Sequence, residues 1–254
     1  MRAKAHILLY DIETAPLISA NWGIWEQNAV WVIKDWYMLS FAYKWLGEKQ
    51  VHVLGIDDFK TFNKDKENDF ELVSALHNLF LEADVVIAHN GDSFDQKMTN
   101  TRFMVHKLGP VNGYKQIDTK KVAKRYARFT SNRLDDLGKA LGLGQKLSTG
   151  GAELWRACMR GDREALKKMK RYNKQDVILL EQLYLELRPW IQNHPAMNNL
   201  LNRPDACPNC GEGPLHSKGQ QVSKTSTYRR WQCQNCGAYS RSRIAEKKER
   251  MQYV

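Results

Sequence analysis

Four carboxylates sit in three short patterns: Asp11 and Glu13 in YDIET, Asp95 in HNGDSFD, and Asp176 in YNKQD. Asp11 and Glu13 are two residues apart at the end of an apolar run, and on a strand that spacing puts both side chains on one face. Two carboxylates side by side repel unless a cation lies between them, and hard oxygen ligands favour Mg²⁺ or Mn²⁺. A pair of solvated strand-end acids would leave the same pattern. Asp95 follows Asn90-Gly91-Asp92-Ser93, a stretch suited to a tight turn or a helix cap. With Phe94 buried, Asp95 falls in the first helical turn facing the end of the sheet; the bland alternative is an acid favoured there by the helix dipole. Asp92 reads as a turn residue. Tyr172 and Asp176 are four apart on a helical stretch, so phenol and carboxylate share a face. The apolar run Val177–Leu180 follows directly, which places the Asp176 carboxylate at the edge of a core, where it needs a partner such as a metal.

A second constellation is Cys207-Pro208-Asn209-Cys210 and Cys233-Gln234-Asn235-Cys236, separated by residues 211–232. Two C-x-x-C pairs supply four thiolates for one tetrahedral Zn²⁺, at a separation a hairpin insertion accommodates. A segment this small cannot bury a large core, so the metal would supply its folding energy. Two disulfides are the alternative, disfavoured in a reducing compartment. Cys158 is left over and reads as a buried small residue. Between the cysteine pairs, Tyr228, Arg229, Arg230 and Trp231 alternate aromatic and basic side chains. On a strand, Tyr228 and Arg230 would face one way and Arg229 and Trp231 the other. That pattern fits stacking and phosphate contact, against a bland reading of one core aromatic and solvated arginines. The stretch 241–250 adds charge and could be a frayed tail.

The elements that must position these groups follow from periodicity. His6–Glu13 reads as a buried strand, Met38–Leu46 and Val51–Ile56 as a hairpin pair around Gly47, and Asp84–His89 as a central strand. Residues 67–83 show a helical face of Phe70, Val73, Leu76, Leu79 and Phe80, and 93–108 a second helix ending at Gly109-Pro110. Ile117–Thr119 is a short strand or a helix entry, and helices continue to about residue 191. The order predicts an α/β domain over residues 1–191, with a mixed sheet flanked by helices. A linker at 192–206 and a cysteine module with a basic tail at 207–254 complete the chain.

The net charge is +11, and residues 203–254 hold 10 Lys/Arg against 4 Asp/Glu, so about a fifth of the chain carries more than half of the excess. That asymmetry points to a polyanion, nucleic acid before anionic membrane. No run of about 18 apolar residues appears, which argues against a membrane span. The N-terminal apolar stretch runs into acids without a cleavage site, as a buried strand does and a signal peptide does not. The expected setting is cytoplasmic, of a bacterial or phage kind, with nucleoid association as a variant. Five tryptophans crowd residues 22–45. Trp22 or Trp25 could stack on a base, whereas Trp31, Trp36 and Trp45 read as buried anchors of a long loop. Lys120, Lys121, Lys124, Arg125 and Arg128 either track a phosphate backbone or form a solvated face.

Taken together, D-x-E at Asp11 and Glu13, Asn90 with Phe94-Asp95, and Y-x-x-x-D at Tyr172 and Asp176 resemble the Exo I, Exo II and Exo III motifs of the DEDD exonuclease superfamily. The tyrosine marks its DEDDy subgroup. The resemblance covers residues 5–190 and is nearest to the exonuclease domains related to the proofreading part of family B DNA polymerases. It implies an RNase H-like (DnaQ-like) fold. It also implies two Mg²⁺ or Mn²⁺ ions about 4 Å apart, with Asp11, Glu13 and Asp176 on one ion. Asp11 would reach the second, with Asp95 acting directly or through water. Tyr172 would orient the attacking water. Thr14 and Asn90 are expected to touch the substrate, as are Trp22, Trp25 and residues 228–231. The cysteine module resembles a zinc ribbon with one structural Zn²⁺. No polymerase domain follows in the sequence, and the expectation is a free-standing 3′→5′ exonuclease releasing nucleoside 5′-monophosphates from DNA, preferably single-stranded. An RNA exonuclease, a degenerate nucleic-acid-binding module and a structure-specific endonuclease are the other readings. The sequence names no protein partner.

Overall fold

The computed structural model describes residues 5–25 and 28–248, so residues 249 and 250 of the basic stretch lie outside it. The described chain forms two compact units, one spanning His6–Leu183 and the other running from Tyr184 onward.

The first unit is built on a five-stranded mixed sheet. In chain order its elements are β1 (Ile7–Thr14), β2 (Ile18–Ala20), β3 (Trp31–Lys34), β4 (Met38–Trp45) and β5 (His52–Gly55). Helix α1 (Phe70–Glu82), β6 (Val85–Ala88), α2 (Asp95–Val105), β7 (Lys115–Asp118), α3 (Thr119–Tyr126), α4 (Leu134–Ala140), α5 (Ala152–Met159) and α6 (Arg163–Leu187) follow. The sheet order is β5-β4-β1-β6-β7. β1 pairs antiparallel with β4 and parallel with β6, so it is central and its first four residues are fully apolar and buried. This is the mixed sheet flanked by helices that the sequence pattern predicts.

Alternation along β1 sorts its side chains. Leu8, Tyr10 and Ile12 enter a core with Leu72, Val73, Leu76 and Phe80 of α1 and Phe103 of α2. The opposite face carries Leu9, Asp11 and Glu13, in register with Lys44, Ala42 and Ser40 of β4. Helix α6 reaches that face: Asn173 bonds Asp11 and Ser40, and the largely buried Lys44 ammonium meets Glu181 at 2.5 Å. Burying an ion pair gives little net stability, but removing one partner leaves a charge stranded.

Three expectations shift. The α1 face buries Leu72, while Phe70 is turned outward at 44% exposure. Phe94 is also exposed, at 42%, and Asp95 is the buried one at 3%. Asp95 is the first residue of α2, so its carboxylate can enter the core beside β1 and release the ring to the surface. The tryptophan-rich stretch is not a loop anchored by buried tryptophans: β2 and β3 pair as a hairpin, Trp31 is 60% exposed, and Trp36 and Trp45 are half-buried rather than buried, Trp45 on β4.

The second unit contains α7 (Met197–Leu200), β8 (Leu215–Val222), β9 (Ser226–Cys233), β10 (Tyr239–Arg241) and β11 (Lys247–Lys248), with β9 central to a four-stranded sheet. No helix among the described residues is long and apolar enough to cross a membrane.

The turn after β6 is held by Asp118, at once the end of β7 and the N-cap of α3. Its carboxylate accepts N–H bonds from Asn90 and Lys120 at 2.9 Å and from Asp92 and Lys121 at 3.3 Å. Asn90 adopts φ +70°, and a side chain at Gly91 would meet the Ala88 Cβ at 2.7 Å, so the Asn-Gly order is dictated by the turn. Replacing Asp118 with Ala should cost about 1–3 kcal/mol; urea denaturation of the variant, showing a lower midpoint at unchanged slope, checks this.

Candidate functional site

The acids are delivered by three elements. β1 carries Asp11 and Glu13 side by side on the face met by α6, and α6 carries Tyr172 and Asp176 one turn apart. Oxygens of Asp11, Glu13 and Asp176 all lie within 4.8 Å of one another. Asp95 stands slightly apart at the start of α2, where its Oδ1 accepts the Ile12 N–H at 3.4 Å.

Burial and crowding make this cluster proton-hungry. Burial, then the charges of Asp95, Asp176 and Glu13, raise the Asp11 carboxyl well above the usual range. Burial and Asp176 push Glu13 up to about 8, and burial pushes Asp95 up to about 7. Burial likewise raises Asp176. Burial and the Asp176 charge raise the Tyr172 phenol to about 12, so it keeps its proton at neutral pH.

One side chain outside the motifs joins them. Lys146, on the connection between α4 and α5, places its ammonium 2.5 Å from Asp176 Oδ2 and 3.1 Å from the Tyr172 hydroxyl. Burial works against its charge, but Asp176 and Asp11 more than compensate and hold it protonated. Its backbone N–H donates to Asp135 at 2.8 Å, which fixes the loop. Together with Asp135, Ser148, Thr149 and Tyr172, Lys146 lines a cavity of about 440 Å³. No local signal marks this lysine, because its partners come from α6. A second unforeseen residue is Asn173, fully buried between the motif residues of α6. Its Nδ2 donates to Asp11 Oδ2 at 2.7 Å and to the Asp11 carbonyl at 3.1 Å, while its Oδ1 accepts from Ser40. It thereby fixes the rotamer of Asp11. Its placement in YNKQD was the available clue.

The other candidates are more dispersed. Thr14 is half-buried at the end of β1, just past an irregularity in pairing. The Asn90 side chain accepts from Lys120 Nζ at 3.0 Å. Lys121 pairs with Asp92. Trp22 and Trp25 are 81% and 87% exposed on the connection between β2 and β3. His89 is tied at both ring nitrogens, to Thr119 and the Asn132 carbonyl, and burial lowers it to about 4, so it is neutral.

The donor set fits a hard divalent cation. It is all oxygen, and Asp176 Oδ1 is buried without a hydrogen-bond partner. Ligands of an octahedral ion at about 2.1 Å are about 3–4 Å apart, a small contraction from the spacing seen.

In the second unit the four cysteines converge. Cys207 and Cys236 sulfurs are 3.8 Å apart, and those of Cys210 and Cys233 are 3.7 Å apart. Tetrahedral thiolates at about 2.3 Å from zinc are separated by about 3.8 Å, and disulfides would require about 2 Å. Each pair is followed by a glycine at φ +76°, Gly211 and Gly237, which folds the knuckle back. Cys158 is buried in the first unit, apart from this cluster.

A central β1 with antiparallel and parallel neighbours, carrying acids opposite an acid-bearing helix, defines an RNase H-like nuclease fold. The family model of the RNase_H superfamily matches residues 8–188, and the chain belongs to that superfamily. Among solved structures, the family B DNA polymerase from the hyperthermophilic archaeon Pyrobaculum calidifontis is similar at 14% identity with a TM-score of 0.51. The match covers 87% of this chain and 31% of the polymerase. No curated protein matches the chain.

The raised carboxyls give a pH signature. Their unfolded values lie near 4, so without a divalent cation the folded state binds more protons. Stability should then fall as pH rises from about 4 through about 8. Adding Mg²⁺ or Mn²⁺ should raise Tm strongly at pH 8 and little at pH 5, as scanning calorimetry would register.

Proposed function

We propose that the protein is a metal-dependent 3′→5′ exonuclease of the DEDDy subgroup, acting on DNA with a preference for single strands and releasing nucleoside 5′-monophosphates. The observation that carries this reading is the convergence of Asp11, Glu13 and Asp176 beside a protonated Tyr172. Two Mg²⁺ or Mn²⁺ ions, when bound, would activate the attacking water and stabilise charge on the leaving 3′ oxygen. Asp11, Glu13 and Asp176 would hold them, Asp11 as the shared ligand, with Asp95 completing the second position directly or through water. Asn173 keeps Asp11 pointed into the cluster. Tyr172 keeps its proton, which rules it out as a general base at neutral pH and leaves it to orient the water. Lys146 aligns Tyr172 and Asp176 and keeps a positive charge beside the position of the scissile phosphate. Exposed Trp22 and Trp25 would stack unpaired bases, with Thr14 and Asn90 nearer the acids. The cysteine cluster would bind one structural Zn²⁺ in a zinc-ribbon module that contacts the nucleic acid. The polymerase likeness extends to under a third of that protein and supports the fold rather than the substrate.

End-labelled single- and double-stranded DNA and RNA, incubated with Mg²⁺, Mn²⁺ or EDTA, test the reading. DNA should shorten progressively from its 3′ end in a cation-dependent way; internal cuts or insensitivity to EDTA would overturn it. Asp11→Ala should abolish cleavage, while Tyr172→Phe should retain part of kcat. Elemental analysis should find one zinc per chain, lost in Cys207→Ser along with the thermal transition of the second unit.

A further inference from the structure

The arginines of the cysteine module are not equivalent, and their differences define a site. Arg229 lies over the Trp231 ring and its Nε pairs with Glu246 at 2.8 Å, so its charge is answered within the protein. Arg230 faces the other side of β9. It sits directly opposite Arg241 of β10 in the strand register. Like charges directly opposed across two strands destabilise a sheet, and neither guanidinium has a carboxylate partner among the described residues. Each instead lies over an aromatic ring, Arg241 at 3.9 Å from the Tyr228 centroid and Arg230 at 5.5 Å from that of Tyr239.

Arg230 is fixed further by a break in β8. Ser217 pairs with Trp231 and Gln220 with Arg229, so Lys218 and Gly219 together oppose Arg230 in a bulge, with Gly219 at φ +79°. The bulge frees the Lys218 carbonyl, which accepts Arg230 Nε at 3.0 Å and Nη2 at 2.8 Å. The Tyr239 ring and this carbonyl orient Arg230, using its Nε/Nη2 edge and leaving Nη1 to a ligand, while the Tyr228 ring orients Arg241. Both residues are exposed, with reduced rotamer freedom left to lose on binding.

We infer that Arg230 and Arg241, braced by Tyr239 and Tyr228, form a two-guanidinium clamp for consecutive phosphodiesters of a nucleic-acid backbone. Because Arg241 already covers Tyr228, this face reads phosphate rather than bases, and its binding is independent of sequence. Arg229, on the opposite face and neutralised by Glu246, is outside the clamp. The inference rests on nucleic acid being the ligand but not on its being cleaved.

The test uses the full-length Asp11→Ala protein, which separates binding from cleavage, and a labelled single-stranded oligonucleotide followed by anisotropy across a salt series. Each lost phosphate contact lowers the slope of log K against log salt by about 0.7 for single strands. The Arg230→Gln/Arg241→Gln double variant should therefore lose about 1.4 in slope, equally for unrelated sequences. Arg229→Gln should leave the slope near that of the parent. Arg230→Lys/Arg241→Lys, which keeps the charges, should retain most of it, and zinc content checks folding of each variant. An unchanged slope in the double glutamine variant, or an equal loss in Arg229→Gln, overturns the inference. So does a dependence on Arg230 and Arg241 seen only with phosphatidylserine vesicles.

Discussion

The repulsion among buried carboxylates at the end of β1 is the constraint around which the first unit is organised. Burial together with the charges of Asp95 and Asp176 raises the proton affinity of the half-buried Asp11 and Glu13, and Asp95 and Asp176 are themselves buried. A fold tolerates this only if something answers the charge. The single ammonium of Lys146 answers part of it, at Asp176. The buried, unpartnered Asp176 Oδ1 marks what remains, and a divalent cation is the chemical species that fits.

The sheet topology supplies the rigidity that such a cluster needs. β1 is central, paired with β6 over Ile7–Leu9 and with β4 through Asp11 and Glu13, so the backbone that carries the two acids is held in place. α6 is braced across the same face by Asn173 near one end of the contact and by the Lys44–Glu181 pair near the other. Asp118 fixes the turn after β6, and with it the start of α2 and Asp95. A cluster built from strand, helix and helix N-terminus is more precise than one built from loops. Lys146 reaches it from the irregular connection between α4 and α5, which is where adjustment to a substrate would have to occur.

The second unit solves a different problem. It lacks the apolar bulk for a large core, and the converged cysteines stand in for one. The sheet they support then holds arginines in environments that composition alone cannot distinguish: one neutralised by an acid, two opposed with no acid partner among the described residues. The same residue type in adjacent positions thereby acquires different electrostatic roles.

Much of this was legible in the sequence. The D-x-E alternation, the Y-x-x-x-D helical spacing and the paired C-x-x-C are local patterns, and local geometry follows from strand and helix periods, so the strands, the helices and the candidate ligands could be read directly. The family resemblance followed from their order. The sequence could not show Lys146 or Asn173 at the acids, because their partners are 26 to 162 residues away. Nor could it show that Phe94 is exposed and Asp95 buried, since both fit a helix start and packing alone chose between them. The exposure of Trp31 depended on β2 and β3 pairing with each other rather than joining the main sheet. Sequence determined which residue types lie at which local spacing, and hence the class of chemistry. Tertiary structure decided which charges face one another, because Coulomb and desolvation energies depend on distances that only the fold creates.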